Sequence, residues 1–236
     1  MKNIILIAPQ AAGKGTQSAL IEEKYNIPHI STGELLRAAR SEETEVGRTI
    51  IKCQDEGILV PQEIVNEVLE NRLMEDDCQE GFILDGYPRN LIQANYLDEF
   101  LKKINHEANY VIYLNVSREE VLKRITGRLM CETCGANYNI NYTEQKPKEE
   151  GICDKCNGKL IQRSDDTEES IFNRLDIFYN DTLPLLDIYK KRNILYEVDG
   201  TKSVEEVFKD IKDVLGDNQF DNYKKWTWNW IIKTCW

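Results

Sequence analysis

KNIILIAPQAAGKGT, residues 2–16, decides how the rest of the chain is read. Lys2 to Ala8 is a short apolar run rich in isoleucine, the pattern of a strand buried on both faces. From Gly13 the pattern turns helical, to about Lys24. Between them, Ala8-Pro-Gln-Ala-Ala-Gly13-Lys14-Gly15-Thr16 resembles a phosphate loop. Successive backbone N–H groups at a helix start make a concave anion site, and the helix dipole adds to it. Lys14 would bring a positive charge to the β and γ phosphates, and Thr16 a hydroxyl to the Mg²⁺. The alternative is an ordinary strand-to-helix turn that happens to contain Gly and Lys. The motif also departs from its usual form. Alanine stands at 8 and 11 where glycine is common, and Gly15 rather than Ser or Thr follows the lysine. An alanine forced to positive φ would cost about 1 kcal/mol. Both alanines are expected at ordinary negative φ, with the loop still closing round a phosphate.

Working outward, short strands alternate with helices. Strand patterns fall at Ile27–Ile30, Gly81–Gly86, Tyr110–Val116 and Asn193–Val198. Helical patterns fall at Glu34–Arg40, Glu45–Glu56, Pro61–Met74, Asn90–Lys103, Ser117–Arg128, Asp165–Tyr179, Leu183–Lys191 and Ser203–Leu215. Ser117 with Glu120, and Ser203 with Glu206, have capping-box spacing. This alternation predicts an α/β fold with a parallel sheet flanked by helices.

The chain has 236 residues, enough for one large domain or a core with an insertion. Its net charge of −11 argues against a nucleic-acid protein held by phosphate contacts, which needs a basic face. No apolar run approaches the length of a membrane span. The opening residues mimic a signal peptide, but the apolar core is too short and Gly13-Lys14-Gly15 stands where cleavage would fall. The expectation is a cytoplasmic protein.

Between Arg128 and Gln162 the texture changes to Cys, Gly, Asn and Tyr, as in a small inserted module. Cys131-x-x-Cys134 and Cys153-x-x-Cys156 match the spacing of a closed four-thiolate zinc site. Such a site has no open position, so the metal would fold the insert rather than catalyse. Two disulfides or free thiols are the alternatives. All four tryptophans lie in the last eleven residues, in a tail from Gly216 whose reading stays open between a packed extension and a contact surface.

Arg37, Arg89, Arg124, Arg128, Arg163 and Arg174 stand at predicted loops and helix ends of an acidic chain. Phosphoryl transfer needs positioning and charge neutralisation, which planar guanidinium forks supply. Neither a Ser-His-Asp set nor a Cys-His pair is evident, and His29 and His106 read as structural. The stretch Ala11–Gln17, with Ser31–Arg37, Asp85–Arg89, Gln93, Arg124–Arg128, Arg163–Asp166 and Val198–Lys202, resembles adenylate kinase. More closely it resembles the long bacterial form whose lid carries zinc. The resemblance covers residues 1 to about 215.

That resemblance implies a P-loop nucleoside monophosphate kinase fold with a five-stranded parallel sheet. It implies a core of 1–30, 61–127 and 164–215, a monophosphate-binding flap at 31–60 and a zinc-ribbon lid at 128–163, with 216–236 outside. The implied reaction is Mg²⁺-dependent ATP + AMP ⇌ 2 ADP, by a monomer with one structural zinc and no nucleic-acid or membrane partner. Lys14, Arg89, Arg128, Arg163 and Arg174 would clamp the phosphates, and Asp85 would orient the waters of Mg²⁺. Ala11, Ala12, Gly13, Gly15, Thr16, Arg124, Asn137, Tyr138 and Lys202 would complete the ATP site, with Arg124 against the adenine. Thr32, Arg37, Ile58, Leu59, Val60, Gly86, Tyr87, Pro88 and Gln93 would form the AMP pocket with Arg89, Arg163 and Arg174, Arg89 lying on the acceptor phosphate. The Gln93 amide, one donor and one acceptor, suits the edge of adenine. The alternatives at this stage are a kinase for another nucleoside monophosphate, a zinc-ribbon module that binds nucleic acid, and a nonfunctional or altered kinase, raised by Ala8 and Ala11.

Overall fold

The strand that opens the chain becomes the centre of the sheet. In a computed structural model, which describes residues 1–41, 43–162 and 167–217, β1 (Lys2–Ile7) pairs with β3 (Gly81–Asp85) on one side and β4 (Tyr110–Asn115) on the other. β2 (His29–Ser31) and β8 (Leu195–Asp199) form the edges, in the order β2-β3-β1-β4-β8. Every pairing is parallel. A strand flanked on both sides and covered on both faces has no polar face, which is why β1 and β3 are continuous apolar runs. The two-residue alternation still divides them. Ile5 and Ile7 enter one core with Phe82, Leu84 and Val111, while Ile4 and Leu6 enter the other with Ile83, Ile112 and Leu114.

Helices α1 (Lys14–Tyr25), α2 (Thr32–Ala39), α3 (Glu45–Glu56) and α4 (Gln62–Leu73) come before β3 in the chain. Helix α5 (Leu91–Lys103) joins β3 to β4, and α6 (Arg118–Thr126) leads into the insert. Polar side chains fix several helix starts. Ser31, Thr44, Asn90, Ser117 and Ser203 each accept the backbone N–H three residues on, satisfying an otherwise orphan donor.

The insert is a separate three-stranded antiparallel sheet of β5 (Arg128–Cys131), β6 (Asn137–Asn139) and β7 (Leu160–Ile161), in the order β6-β5-β7. The chain resumes with α7 (Glu168–Ile177), α8 (Leu185–Lys191), β8 and α9 (Val204–Val214).

Three sequence expectations shift here. The helix expected at Leu183 begins at Leu185, after a turn of π-helix at Phe178–Thr182. Pro184 has no N–H and its ring crowds the carbonyl four residues back, so the helix widens, with Leu183 N–H reaching Phe178 O. The last strand starts at Leu195 rather than Asn193, because Asn193 sits at φ 59° in the preceding turn. Ser203 and Glu206 form a full capping box, but Ser117 and Glu120 form only half of one. The Glu120 carboxylate is bound to Arg124 and Tyr142 instead. The tryptophans lie outside the described residues.

Candidate active site

The phosphate loop leaves the carboxyl end of β1, the middle strand, where an open α/β sheet gathers its ligands. Gly13 at φ 95° starts α1, and Ala11 takes φ 58°. This corrects the expectation of negative φ at both alanines. Ala8 stays outside the left-handed region, but Ala11 does not. The loop turns back sharply enough for Ala12 N–H to face Pro9 O at 3.4 Å, and that turn needs a left-handed residue where glycine would be unstrained.

The Lys14 ammonium folds over the loop, donating to Ala8 O at 2.9 Å and Pro9 O at 3.1 Å. It lies 3.9 Å from Asp85 Oδ1 at the end of β3. Burial pushes the Lys14 pKa down; Asp85 resists, while Arg89 and Arg128 add to the fall. Burial would raise the Asp85 carboxyl, but Lys14, His29 and Arg89 together hold it below the usual carboxylate range. His29, read from sequence as structural, places Nε2 3.5 Å from Asp85 Oδ2. Burial alone would lower its pKa, but the Asp85 carboxylate overrides this and raises it. The buried acid at the end of β3 is thus paired on two sides, as a buried charge must be.

Thr32 donates its hydroxyl to Asp85 O at 3.1 Å, fastening α2 to β3. Gly86 sits at φ 84°, and a Cβ there would lie 2.8 Å from the Thr32 hydroxyl. Arg89 bonds Gly86 O through Nε at 2.8 Å, and its backbone N–H donates to Gln93 Oε1 at 2.8 Å. Gln93 is buried rather than on a helix surface. Burial lowers the Arg89 pKa, and the guanidinia of Arg174 and Arg37 lower it further against the pull of Asp85. Cations brought this close are at lowest energy with an anion among them. Arg174, on α7, also donates Nη2 to Gln54 O at 2.9 Å, reaching the end of α3.

One cleft of about 710 Å³ joins these groups. Its lining includes each residue expected at the two nucleotide sites except Arg163, which lies outside the described residues. Ala11 to Thr16, Arg124, Arg128, Asn137, Tyr138 and Lys202 line it, as do Thr32, Arg37, Ile58 to Val60, Asp85 to Arg89, Gln93 and Arg174. The Lys202 ammonium is turned to Asp210 Oδ2 at 2.6 Å. Gln54 also lines the cleft and carries no sequence motif of its own. Its signal was only that it is a polar residue on an inward helix face. Gln17, the last residue of the Ala11–Gln17 stretch, lines the cleft too, though no role was assigned to it from sequence.

In the insert, the sulfurs of Cys131, Cys134, Cys153 and Cys156 all lie within 4.8 Å of one another. Cys131 and Cys156 are 3.4 Å apart, and Cys134 and Cys153 3.6 Å. A tetrahedron with Zn–S of about 2.3 Å has S–S edges of about 3.8 Å, so four thiolates at these separations fit zinc. The same distances exceed the roughly 2.05 Å of a disulfide. The Tyr138 hydroxyl and the amides of Lys155 and Cys156 hold the Cys153 thiol down to about 6, against its burial. Backbone amides likewise lower Cys131. Cys156 is pushed up to about 12: the Gly158 amide favours its thiolate, but the thiols beside it do not. A bound cation would reverse that.

A phosphate loop on the central strand, a cluster of guanidinia facing it and a ribbon over the same cleft define a P-loop kinase of nucleoside monophosphates. Comparison with known proteins narrows this. The adenylate kinase family model matches residues 6–194. An adenylate kinase of Caldanaerobacter subterraneus is 47% identical over 219 residues, covering 92% of this chain and 98% of its own length. Those of Clostridium tetani and Archaeoglobus fulgidus are 48% and 49% identical over 214 and 213 residues, covering 91% and 90% of this chain and 98% and 97% of their own. The chain belongs to the adenylate kinase family. It is a phosphotransferase that moves a phosphoryl group reversibly from ATP to AMP, and the family uses Mg²⁺ with ATP.

Proposed function

We propose that this chain's own residues divide the reaction ATP + AMP ⇌ 2 ADP as follows. Lys14 leaves the Ala8 and Pro9 carbonyls for the β and γ phosphates of ATP, which the loop amides cradle. Arg128 and Arg163 from the lid, with Arg174, neutralise the charge of the moving phosphoryl group. Arg89 and Arg37 hold the α-phosphate of AMP, whose oxygen attacks. Metaphosphate-like transition states spread charge over the equatorial oxygens, and guanidinium forks match that spread. Thr16 and Asp85 would hold the shell of Mg²⁺, which when bound would supply charge neutralisation to the ATP phosphates. Gln93, its Oε1 already engaged by Arg89 N–H, keeps its amide N–H groups for the AMP adenine. Residues 31–60 serve as the AMP flap and 128–163 as the ATP lid, on a core of 1–30, 61–127 and 164–215. The convergence of Lys14, Arg89, Arg128 and Arg174 on one cleft carries this reading.

We further propose that the four cysteines hold one zinc with a structural role, and that the protein works as a monomer in the cytoplasm. Among the described residues no helix is long and apolar enough to cross a membrane. A coupled assay of ATP consumption with AMP, GMP, CMP and UMP tests the assignment. Turnover should depend on AMP, and equal turnover with another monophosphate would refute the AMP reading.

A further inference from the structure

Arg124 is held from two bodies at once. On α6 its Nε donates to Glu120 Oε1 at 2.9 Å, one turn back, and its Nη2 donates to Gly200 O at 2.9 Å. The same Glu120 oxygen accepts the hydroxyl of Tyr142 at 2.6 Å. Tyr142 belongs to the insert, just beyond β6. Its ring lies beneath two cations, with the Lys123 ammonium 4.7 Å and the Arg124 guanidinium carbon 6.0 Å from its centroid. The insert grips the backbone too. Asn139 donates to Arg124 O at 2.8 Å and Asn141 to Lys123 O at 2.7 Å, satisfying carbonyls at the end of α6.

An exposed Glu–Arg pair four residues apart on a helix would count for little. Here both side chains are largely buried, at 15% and 23% exposure, and a third group locks the carboxylate. Burial would raise the Glu120 carboxyl, but Tyr142 and Arg124 outweigh it and keep it ionised. A guanidinium held by one bond can swing about it; held by two, its plane is set.

We propose that Tyr142 and Glu120 are positioning residues for the donor nucleotide, setting the plane of the Arg124 guanidinium against which the ATP base rests. Base recognition is thereby tied to the seating of the lid on α6. The proposal rests on the reading of Arg124 as the residue against the ATP base. The two part in a double-mutant cycle of Tyr142→Phe and Arg124→Ala, with KM for each nucleotide, kcat and melting temperature as readouts. Tyr142→Phe keeps the ring and removes only the hydroxyl. It should raise the ATP KM about three- to tenfold, the effect of losing one charge-assisted hydrogen bond. The AMP KM and kcat should stay within about twofold, a split that a general loss of structure would not give. In the Arg124→Ala background Tyr142→Phe should add nothing. Glu120→Gln keeps the acceptor oxygen without the charge and should raise the ATP KM in the same direction. An equal rise from Tyr142→Phe in the Arg124→Ala background would overturn the proposal. So would an unchanged ATP KM in Tyr142→Phe beside a raised one in Arg124→Ala. An unchanged ATP KM in Arg124→Ala would remove the reading of Arg124, and the proposal with it.

Discussion

Ala11 and Ala8 look alike in the sequence and differ in the structure. Ala11 at φ 58° carries the cost of a left-handed L-residue, while Ala8 is buried at ordinary φ among the apolar residues of the sheet. Ala11→Gly should therefore stabilise the protein by about 1 kcal/mol. Ala8→Gly should destabilise it by about as much, through lost burial and greater chain entropy. Denaturant titration of both variants checks the opposite signs. If the loop keeps one shape free and bound, ATP affinity in Ala11→Gly should change by less than about tenfold. Lys14→Met should lower kcat on the order of 10²–10³-fold and leave the fold intact, as read by turnover and circular dichroism. The His29–Asp85 pair has a pH signature. The raised His29 pKa contributes stability that is full below its ordinary 6.5 and is lost as pH climbs through the folded value. The lowered Asp85 pKa contributes stability that is full above its ordinary 3.8 and is lost as pH drops through the folded value. His29→Asn should thus cost most between these limits, and the loss measured at about pH 5.5 should shrink by about pH 8.5.

At the scale of elements, the ribbon has almost no core of its own: its buried apolar cluster is Cys131, Cys153 and Leu160. In the proposed zinc site, the metal would pin a module this small. Zinc analysis should give one ion per chain, and a chelator should lower the melting temperature by about 5 °C or more in calorimetry. Activity measured in the cold should survive longer than thermal stability, since the closed thiolate set offers no open position. The cysteine spacing made the cluster readable because each Cys-x-x-Cys brings two thiols together on one short turn, and the four sulfurs meet. β1, β3 and β4 were readable because full burial writes a continuous apolar run. What escaped was set by distant partners. The π turn that Pro184 sets before α8 is fastened by the Thr182 hydroxyl to Arg89 O, 93 positions away. Glu120 leaves its capping box for Tyr142, 22 positions on. The pairing of His29 with Asp85 came into view only with β2 laid beside β3. The sign of φ at Ala11 followed from how the loop closes, which no local pattern encodes.

Across the whole molecule, an acidic chain of net charge −11 lines the nucleotide cleft with Lys14, Arg37, Arg89, Arg124, Arg128 and Arg174. Concentrating cations in a cleft focuses the field on an anionic substrate. Helix α3, in the stretch proposed as the AMP flap, is tied to α7. Arg174 donates to Gln54 O, Asn173 donates to Glu56 O at 2.7 Å, and Gly57 lies against Ser170. Gly57 is the left-handed cap of α3, at φ 70°, immediately before Ile58, Leu59 and Val60. A Cβ there would stand 2.5 Å from Ser170 O and 2.8 Å from its Oγ, closer than van der Waals contact allows. Gly57→Ala therefore adds backbone strain to a clash with a backbone oxygen that cannot swing away. Stability should fall by about 2 kcal/mol or more. The α3–α7 contact should also loosen, moving the carbonyls of residues 58–60 and the partner of Arg174 together. The AMP KM should then rise about tenfold or more while the ATP KM stays within about threefold, because Lys14 and Arg124 make their bonds elsewhere and the phosphate loop reaches α7 through a long bond from Gln10 to Ile171 O at 3.4 Å. Equal rises in both constants would show that the flap does not move apart from the donor site.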